Sequence, residues 1–219
     1  MSKIKISIDV VSDVVCPWCY IGKRRLENAL SRLPENYEVD INFLPFELNP
    51  DTPKTGVDHK SYLANKFGGS DRYNQLTEHV TNIASGEGLK FDYSKQTVMP
   101  NTLDSHRLIQ YAKKYRKQPE IKEALMKAYF EEGADLSKSE NLVAIAEKVG
   151  LDGKEIKAFL SSDEGAVEVK HMEQMSQQRG VSGVPFYIIN NKYGVSGAQP
   201  SDTFIEILNE VAKESVTVS

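Results

Sequence analysis

Cys16 and Cys19 are the only cysteines in this 219-residue chain, and they bracket a proline and a tryptophan in the run Cys16-Pro17-Trp18-Cys19. Two thiols at this spacing can close a short disulfide and open it again, which is the chemistry of redox exchange. A zinc site is the competing use of such a pair. Two cysteines cannot supply four thiolates, and His59, His79, His106 and His171 lack the His-x3–5-His spacing that would complete a mixed site. A structural disulfide over so short a loop would stabilise little, because the stabilisation grows with loop length.

The elements that must hold these thiols are legible on either side. The run Lys3-Ile4-Lys5-Ile6-Ser7-Ile8-Asp9-Val10 alternates apolar and polar residues, the period of a strand. After the cysteines, Gly22, Leu26, Ala29, Leu30 and Leu33 repeat every three or four residues, a helical stripe that Pro34 ends. Pro17 suits the first helical turn, where its missing N–H would have no intrahelical partner. Cys16 therefore lies at the helix N-terminus, where free amides and the macrodipole favour a thiolate. It is expected to be the more exposed and more acidic thiol, with Cys19 one turn inside. Trp18 offers an apolar contact to substrate. Asp13 is positioned either to accept a proton from Cys19 or to cap the helix.

A second strand follows at Val39-Ile41-Phe43 and closes at Pro45, completing a βαβ opening over residues 4–46. Residues 58–179 read as helices without strands. Pro119 starts one, Ser137 with Glu140 fits a capping box for the next, Asp152 with Glu155 starts another, and a longer one spans 163–179 before Gly180. Strands return at Pro185-Phe186-Tyr187-Ile188-Ile189 and at 192–195, joined by Asn190-Asn191, residues that tolerate a tight hairpin turn. Ser201 is placed to cap a last helix that turns Phe204, Ile205, Leu208, Val211 and Ala212 inward, with fraying expected after Glu214. The pattern is a split α/β domain holding a helical insert: residues 1–57 and 163–219 form the two parts, and 58–162 the insertion.

Net charge −4 and pI about 5.7 argue against a nucleic-acid partner. The basic run Lys113-Lys114-Tyr115-Arg116-Lys117 reads as a solvated helix C-terminus. No apolar run approaches the roughly 18–20 residues that cross a bilayer, so no membrane partner is expected. Met1-Ser2-Lys3-Ile4-Lys5 leads directly into the first strand, which points to a cytoplasmic protein. No metal or other cofactor is expected beyond the redox-active cysteine pair. Nothing in the sequence specifies an oligomeric state.

Cys16-Pro17-Trp18-Cys19 after the first strand and Gly183-Val184-Pro185-Phe186 before a late one resemble the two signatures of a thioredoxin-like fold. The intervening helices make the chain similar to the DsbA family. Three stretches resemble that family's FrnE-type branch, which also contains relatives of 2-hydroxychromene-2-carboxylate isomerase. They are Ser12-Asp13-Val14-Val15-Cys16-Pro17-Trp18-Cys19-Tyr20-Ile21-Gly22-Lys23-Arg24-Arg25-Leu26-Glu27, Pro100-Asn101-Thr102-Leu103-Asp104-Ser105-His106-Arg107-Leu108, and residues 181–200. The resemblance implies an α/β, thioredoxin-like fold interrupted by an all-helical insertion domain. It implies that Cys16 attacks, that Cys19 resolves, and that Pro185 is cis beside them, turning the backbone of Val184 towards a substrate strand. Pro17 and Trp18 then complete the substrate-binding surface.

It also places Asn101 in the active-site cleft, although Asn101 and Thr102 equally suit the cap of the helix at Leu103. His106 reads as a core or surface histidine, with catalysis as the alternative. Many thioredoxin-like reductases carry an acid six residues before the nucleophile, where this chain has Val10. In such proteins the first cysteine titrates at roughly 3.5–7 against about 8.5 for a free thiol.

The implied activity is thiol-disulfide oxidoreductase or isomerase chemistry on protein or small-thiol disulfides, with glutathione a candidate co-substrate. Two alternatives remain: a glutathione-dependent transferase or isomerase of the kappa-class or 2-hydroxychromene-2-carboxylate isomerase type, against which Cys19 counts, and a non-catalytic peptide-binding or chaperone module.

Overall fold

Alternation along the first strand decides which faces of the sheet are covered. The computed structural model describes residues 3–217, and side chains as far as Glu214. In chain order its elements are β1 (Ile4–Ser12), α1 (Pro17–Ser31), β2 (Tyr37–Pro45), β3 (Val57–Asp58), α2 (His59–Phe67), α3 (Ser70–Gly86), β4 (Val98–Met99), α4 (Leu103–Lys113), α5 (Gln118–Phe130), α6 (Ser139–Lys148), α7 (Gly153–Leu160), α8 (Ala166–Gln178), β5 (Phe186–Ile189), β6 (Tyr193–Ser196) and α9 (Ser201–Thr217). The main sheet has the order β2-β1-β5-β6. β1 runs parallel to β2 and antiparallel to β5, with Val10 opposite Tyr187 and Val11 opposite Phe186. Ile6, Ile8, Val10, Tyr187 and Ile189 all join the main core, where the Tyr187 ring meets Phe204 of α9. On the other face, Val11 and Ile188 pack with Val181, which follows α8.

This is a thioredoxin-like α/β core interrupted by a run of helices between β2 and β5. The hairpin turn forms as the sequence suggests, with Asn190 and Asn191 at φ 50° and 55°. Four local expectations need correction. Residues 58–179 contain strand after all, because β3 and β4 pair through Val57–Met99 and Asp58–Val98. A two-residue ladder is too short to leave a periodic signal. The Ser137 capping box is absent, since Asp135 accepts both the amide and the hydroxyl of Ser137 and α6 begins behind Lys138. The helix expected from residue 163 starts at Ala166, after Gly165 turns left-handed at φ 80°. The Ser201 hydroxyl donates to the carbonyl of Arg25 and ties α9 to α1. Asp152 does cap α7, accepting from the amides of Lys154 and Glu155. Helix α9 continues past Glu214 to Thr217, and the last two residues of the expected frayed tail lie outside the described residues.

Candidate active site

β1 delivers a buried turn, Asp13-Val14-Val15, straight into α1. Cys16 is the N-cap residue of α1, with extended backbone (φ −88°, ψ 113°), no side-chain cap and no acid in the first turn. The positive end of the helix therefore faces the Cys16 sulfur without a competing carboxylate. Across from it the Val184–Pro185 peptide bond is cis, and the Cys16 thiol lies 3.7 Å from the carbonyl oxygen of Val184, to which it donates. Gly22 lets the two walls approach. A Cβ there would stand 2.3 Å from the Tyr187 hydroxyl and 3.2 Å from the Pro185 ring.

Both cysteines are free thiols, and both are buried, at 3% and 2% exposure. Cys16 is expected to be the more exposed thiol, and at these values exposure barely separates the two. What separates the pair is which side each faces. Cys16 lines a cavity with Pro17, Trp18 and Val184, and Cys19 lies behind it. Burial, followed by the hydrogen bond and charge of Cys16, pushes the Cys19 thiol well above its ordinary value. Lys122 and the backbone of Asp13 act in the opposite sense.

Behind Cys19 sits a charged cluster. Asp13 is fully buried, 3.2 Å from Nε2 of His106, and its second oxygen accepts the Leu48 amide at 2.8 Å. Burial pushes the Asp13 carboxyl up. His106, the Leu48 amide and Lys122 outweigh that and hold it below the usual range. Asp13 therefore anchors a loop and does not cap α1, and His106 is a paired core histidine. Lys122 of α5 is 1% exposed, donates to the Ser12 carbonyl at 3.4 Å and, among the described residues, has no carboxylate at ion-pair distance. Burial pulls its ammonium down to about 8, with Cys19 the strongest of the charges resisting that shift. Val10, where related reductases carry an acid, faces the core and offers no such group.

Sequence reasoning missed Lys122. A signal existed: Lys122, Leu125, Met126 and Tyr129 occupy i, i+3, i+4 and i+7 of one buried stripe. Asn101, expected in the cleft, is committed elsewhere. Its side chain accepts from the Leu103 amide at 3.0 Å and donates to the Thr52 carbonyl at 2.9 Å, which pins the start of α4. Trp18 is 38% exposed at the cavity mouth, its ring 6.5 Å from that of His79. The cavity measures about 390 Å³ and is roofed by α2 and α3, a contribution invisible in the sequence because its lining comes from separated segments. Among the described residues no group of three or more His, Cys, Asp or Glu could hold a metal ion, and no helix is long and apolar enough to cross a membrane.

Comparison with known proteins agrees with this geometry. The family model described as DSBA-like thioredoxin domain matches residues 7–209. The crystal structure of a probable DsbA oxidoreductase from Streptomyces coelicolor superposes with a TM-score of 0.88 at 32% identity, covering 94% of this chain and 89% of that one. A putative protein disulfide isomerase from Nitrosomonas europaea shares the fold at a TM-score of 0.74 and 14% identity, over 96% of this chain and 98% of that one. The uncharacterized Bacillus subtilis protein YwbO is 25% identical over 210 residues, 95% of this chain and 98% of its own.

Proposed function

Since the chain belongs to the DSBA-like thioredoxin domain family and is a thiol-disulfide oxidoreductase, we propose that Cys16 is its nucleophile, Cys19 its resolving thiol, and Val184–Pro185 the wall that receives the substrate. The observation that carries this reading is the Cys16 sulfur at the uncapped start of α1, 3.7 Å from the Val184 carbonyl oxygen. The Cys16 thiolate attacks one sulfur of a substrate disulfide, forming a mixed disulfide and releasing the other sulfur as a thiolate. Cys19 then gives up its proton and attacks the Cys16 sulfur. The second substrate thiolate leaves, and the Cys16–Cys19 disulfide holds the two-electron oxidation. The buried Lys122 ammonium, which donates to the Ser12 carbonyl and acts as a positive charge on Cys19, stabilises the thiolate that Cys19 becomes as its proton passes to the departing substrate thiolate. The reverse sequence uses the same atoms, so direction follows from the reduction potential.

The three sequence stretches around Cys16, Asn101 and Val184 support assignment to the FrnE-type branch, and a cysteine content confined to the Cys16–Cys19 pair supports a cytoplasmic setting in which the dithiol form predominates. Residues 1–57 and 163–219 read as one thioredoxin-like unit around the insertion 58–162, with the short β3 straddling the first boundary. The partners proposed are protein or small-molecule thiols and disulfides. The test is insulin reduction with a dithiol regenerant. Turnover should vanish in Cys16→Ser, and Cys19→Ser should accumulate reducible adducts on Cys16. Turnover that survives Cys16→Ser would refute the assignment, and absence of adducts above a Cys16→Ser control would exclude protein substrates.

A further inference from the structure

The cavity beside Cys16 has a lining that suits one class of molecule. Its walls are predominantly apolar and aromatic, and Trp18 and Phe67, two of the exposed large apolar side chains, stand on it at 38% and 45% exposure. Within it lie two polar side chains whose needs the protein leaves unmet. Gln96 is 6% exposed with neither its amide nitrogen nor its oxygen hydrogen-bonded, and His59 is 1% exposed with Nδ1 unpartnered. Buried polar atoms of this kind ordinarily have partners, and a pair left open in one cavity marks the place of a ligand's polar group. Burial holds His59 near 4, so it is a neutral imidazole at neutral pH. Lys66 is the one formal cation among the described lining residues, which include no carboxylate, and its ammonium donates to Asn49.

We propose that this cavity binds low-molecular-weight aromatic disulfides, with one hydrogen-bonding group of the ligand on Gln96 and one sulfur presented to Cys16. The proposal rests on the exchange reading above and names its substrate class. Glutathione disulfide fits poorly, because its several carboxylates and ammonium groups would meet apolar walls. A polypeptide segment fits poorly for a related reason: its backbone amides would find few partners among the aromatic walls. An aromatic body of modest size, carrying a carbonyl, hydroxyl or carboxylate, meets both the volume of about 390 Å³ and the two open polar groups. In the step itself, Cys16 displaces one aromatic thiolate from the disulfide. Cys19 then displaces the second from Cys16, and an external dithiol returns two electrons and two protons to the cysteine pair.

Two measurements separate this proposal from the reading beneath it. The first is redox-inert. Trp18 is the sole tryptophan, so its fluorescence in a Cys16→Ser/Cys19→Ser protein can be titrated with the uncharged thioether bis(4-carbamoylbenzyl) sulfide. Saturable binding is expected, weakened about tenfold or more by Gln96→Leu and by the space-filling Leu76→Phe. The second compares kcat/KM for the uncharged bis(4-carbamoylbenzyl) disulfide and for glutathione disulfide, both alkyl disulfides, with dithiothreitol as regenerant. The ratio should favour the aromatic substrate by about tenfold or more and collapse in both variants. No thioether binding, a ratio at or below one, a ratio indifferent to both variants, or a phenylalanine-flanked cystine peptide that outcompetes the thioether would each overturn the proposal. If the thioether binds but no disulfide is reduced, the exchange reading fails while the cavity assignment stands. If disulfides are reduced without discrimination, the cavity assignment fails while the exchange reading stands.

Discussion

Lys122 holds an ammonium group in the protein interior, with Cys19 the strongest charge acting on it, and that position sets up a conflict between stability and activity. Its value falls from 10.5 in water to about 8 in the fold. Below pH 8 the folded protein keeps a charge out of water that the unfolded chain solvates freely. The resulting destabilisation is greatest there and fades between about 8 and 10.5, where the unfolded lysine also loses its proton. Lys122→Met should therefore raise stability by about 1–3 kcal/mol at pH 7 and by much less at pH 10. Urea unfolding of the disulfide form, in which neither thiol titrates, checks this, and a pH-independent change would contradict it. The same variant should slow resolution of the mixed disulfide about tenfold or more, because Cys19 loses the positive charge that stabilises its thiolate. The spacing of Cys16 and Cys19 marked them in the sequence, and the family resemblance marked Pro185; the fold sets Cys16 against the cis Val184–Pro185 bond. Lys122 was hidden inside an otherwise apolar stripe, and Asn101 looked like a cleft residue because nothing local discloses that Thr52 takes its amide.

At the level of elements, the contact between α1 and β5 depends on an absent side chain. Gly22→Ala would drive a methyl group into the Tyr187 hydroxyl, which is buried and without a hydrogen-bond partner. Overpacking of this kind destabilises by about 1–3 kcal/mol, and it should also lower activity by moving Cys16 away from Val184. Tyr187→Phe removes the clashing atom at little loss, since that hydroxyl contributes no bond. The double variant Gly22→Ala/Tyr187→Phe should recover most of the stability in a denaturant titration. Failure to recover would locate the strain in the Pro185 ring and Ala198, the other two groups against which that methyl would press. Helix α2 carries a different sensitivity. His59 stays neutral in the fold down to about 4, while in the unfolded chain it protonates near 6.5. Stability should fall by about 1–2 kcal/mol as pH drops through that window, and His59→Phe should remove this dependence from the urea midpoints at pH 7 and pH 5. Helix ends and the Asn190-Asn191 turn were readable because they are decided within a few residues. The Ser137 cap was misread because Asp135, two positions upstream, competes for the same groups.

Across the whole molecule, the inserted helices share their core with the sheet. Tyr20 of α1 stacks on Phe91 at 5.8 Å, and Phe91 on Phe130 at 4.5 Å. Glu123 of α5 accepts from Tyr20 at 2.8 Å, Lys23 at 2.5 Å and Arg24 at 2.7 Å of α1. The insertion should accordingly unfold together with the thioredoxin-like part. Trp18 fluorescence and far-ultraviolet circular dichroism should give coincident urea transitions, and two separated transitions would show independent units. Helix-by-helix reading could not reveal this sharing, since each stripe shows that a face is buried but not against what. The sheet that carries the site also joins distant stretches of chain: Cys16 and Val184 are 168 residues apart. At synthesis rates of about 5–20 residues per second, Val184 follows Cys16 out of the ribosome's catalytic centre by roughly 8–34 s. For that interval the nascent polypeptide carries both thiols without their opposite wall, open to any oxidant or to the cysteines of neighbouring nascent chains. A cell making this protein thus has to keep the surroundings of the ribosome reducing for the length of one translation, or finish with the cysteine pair joined to the wrong partner.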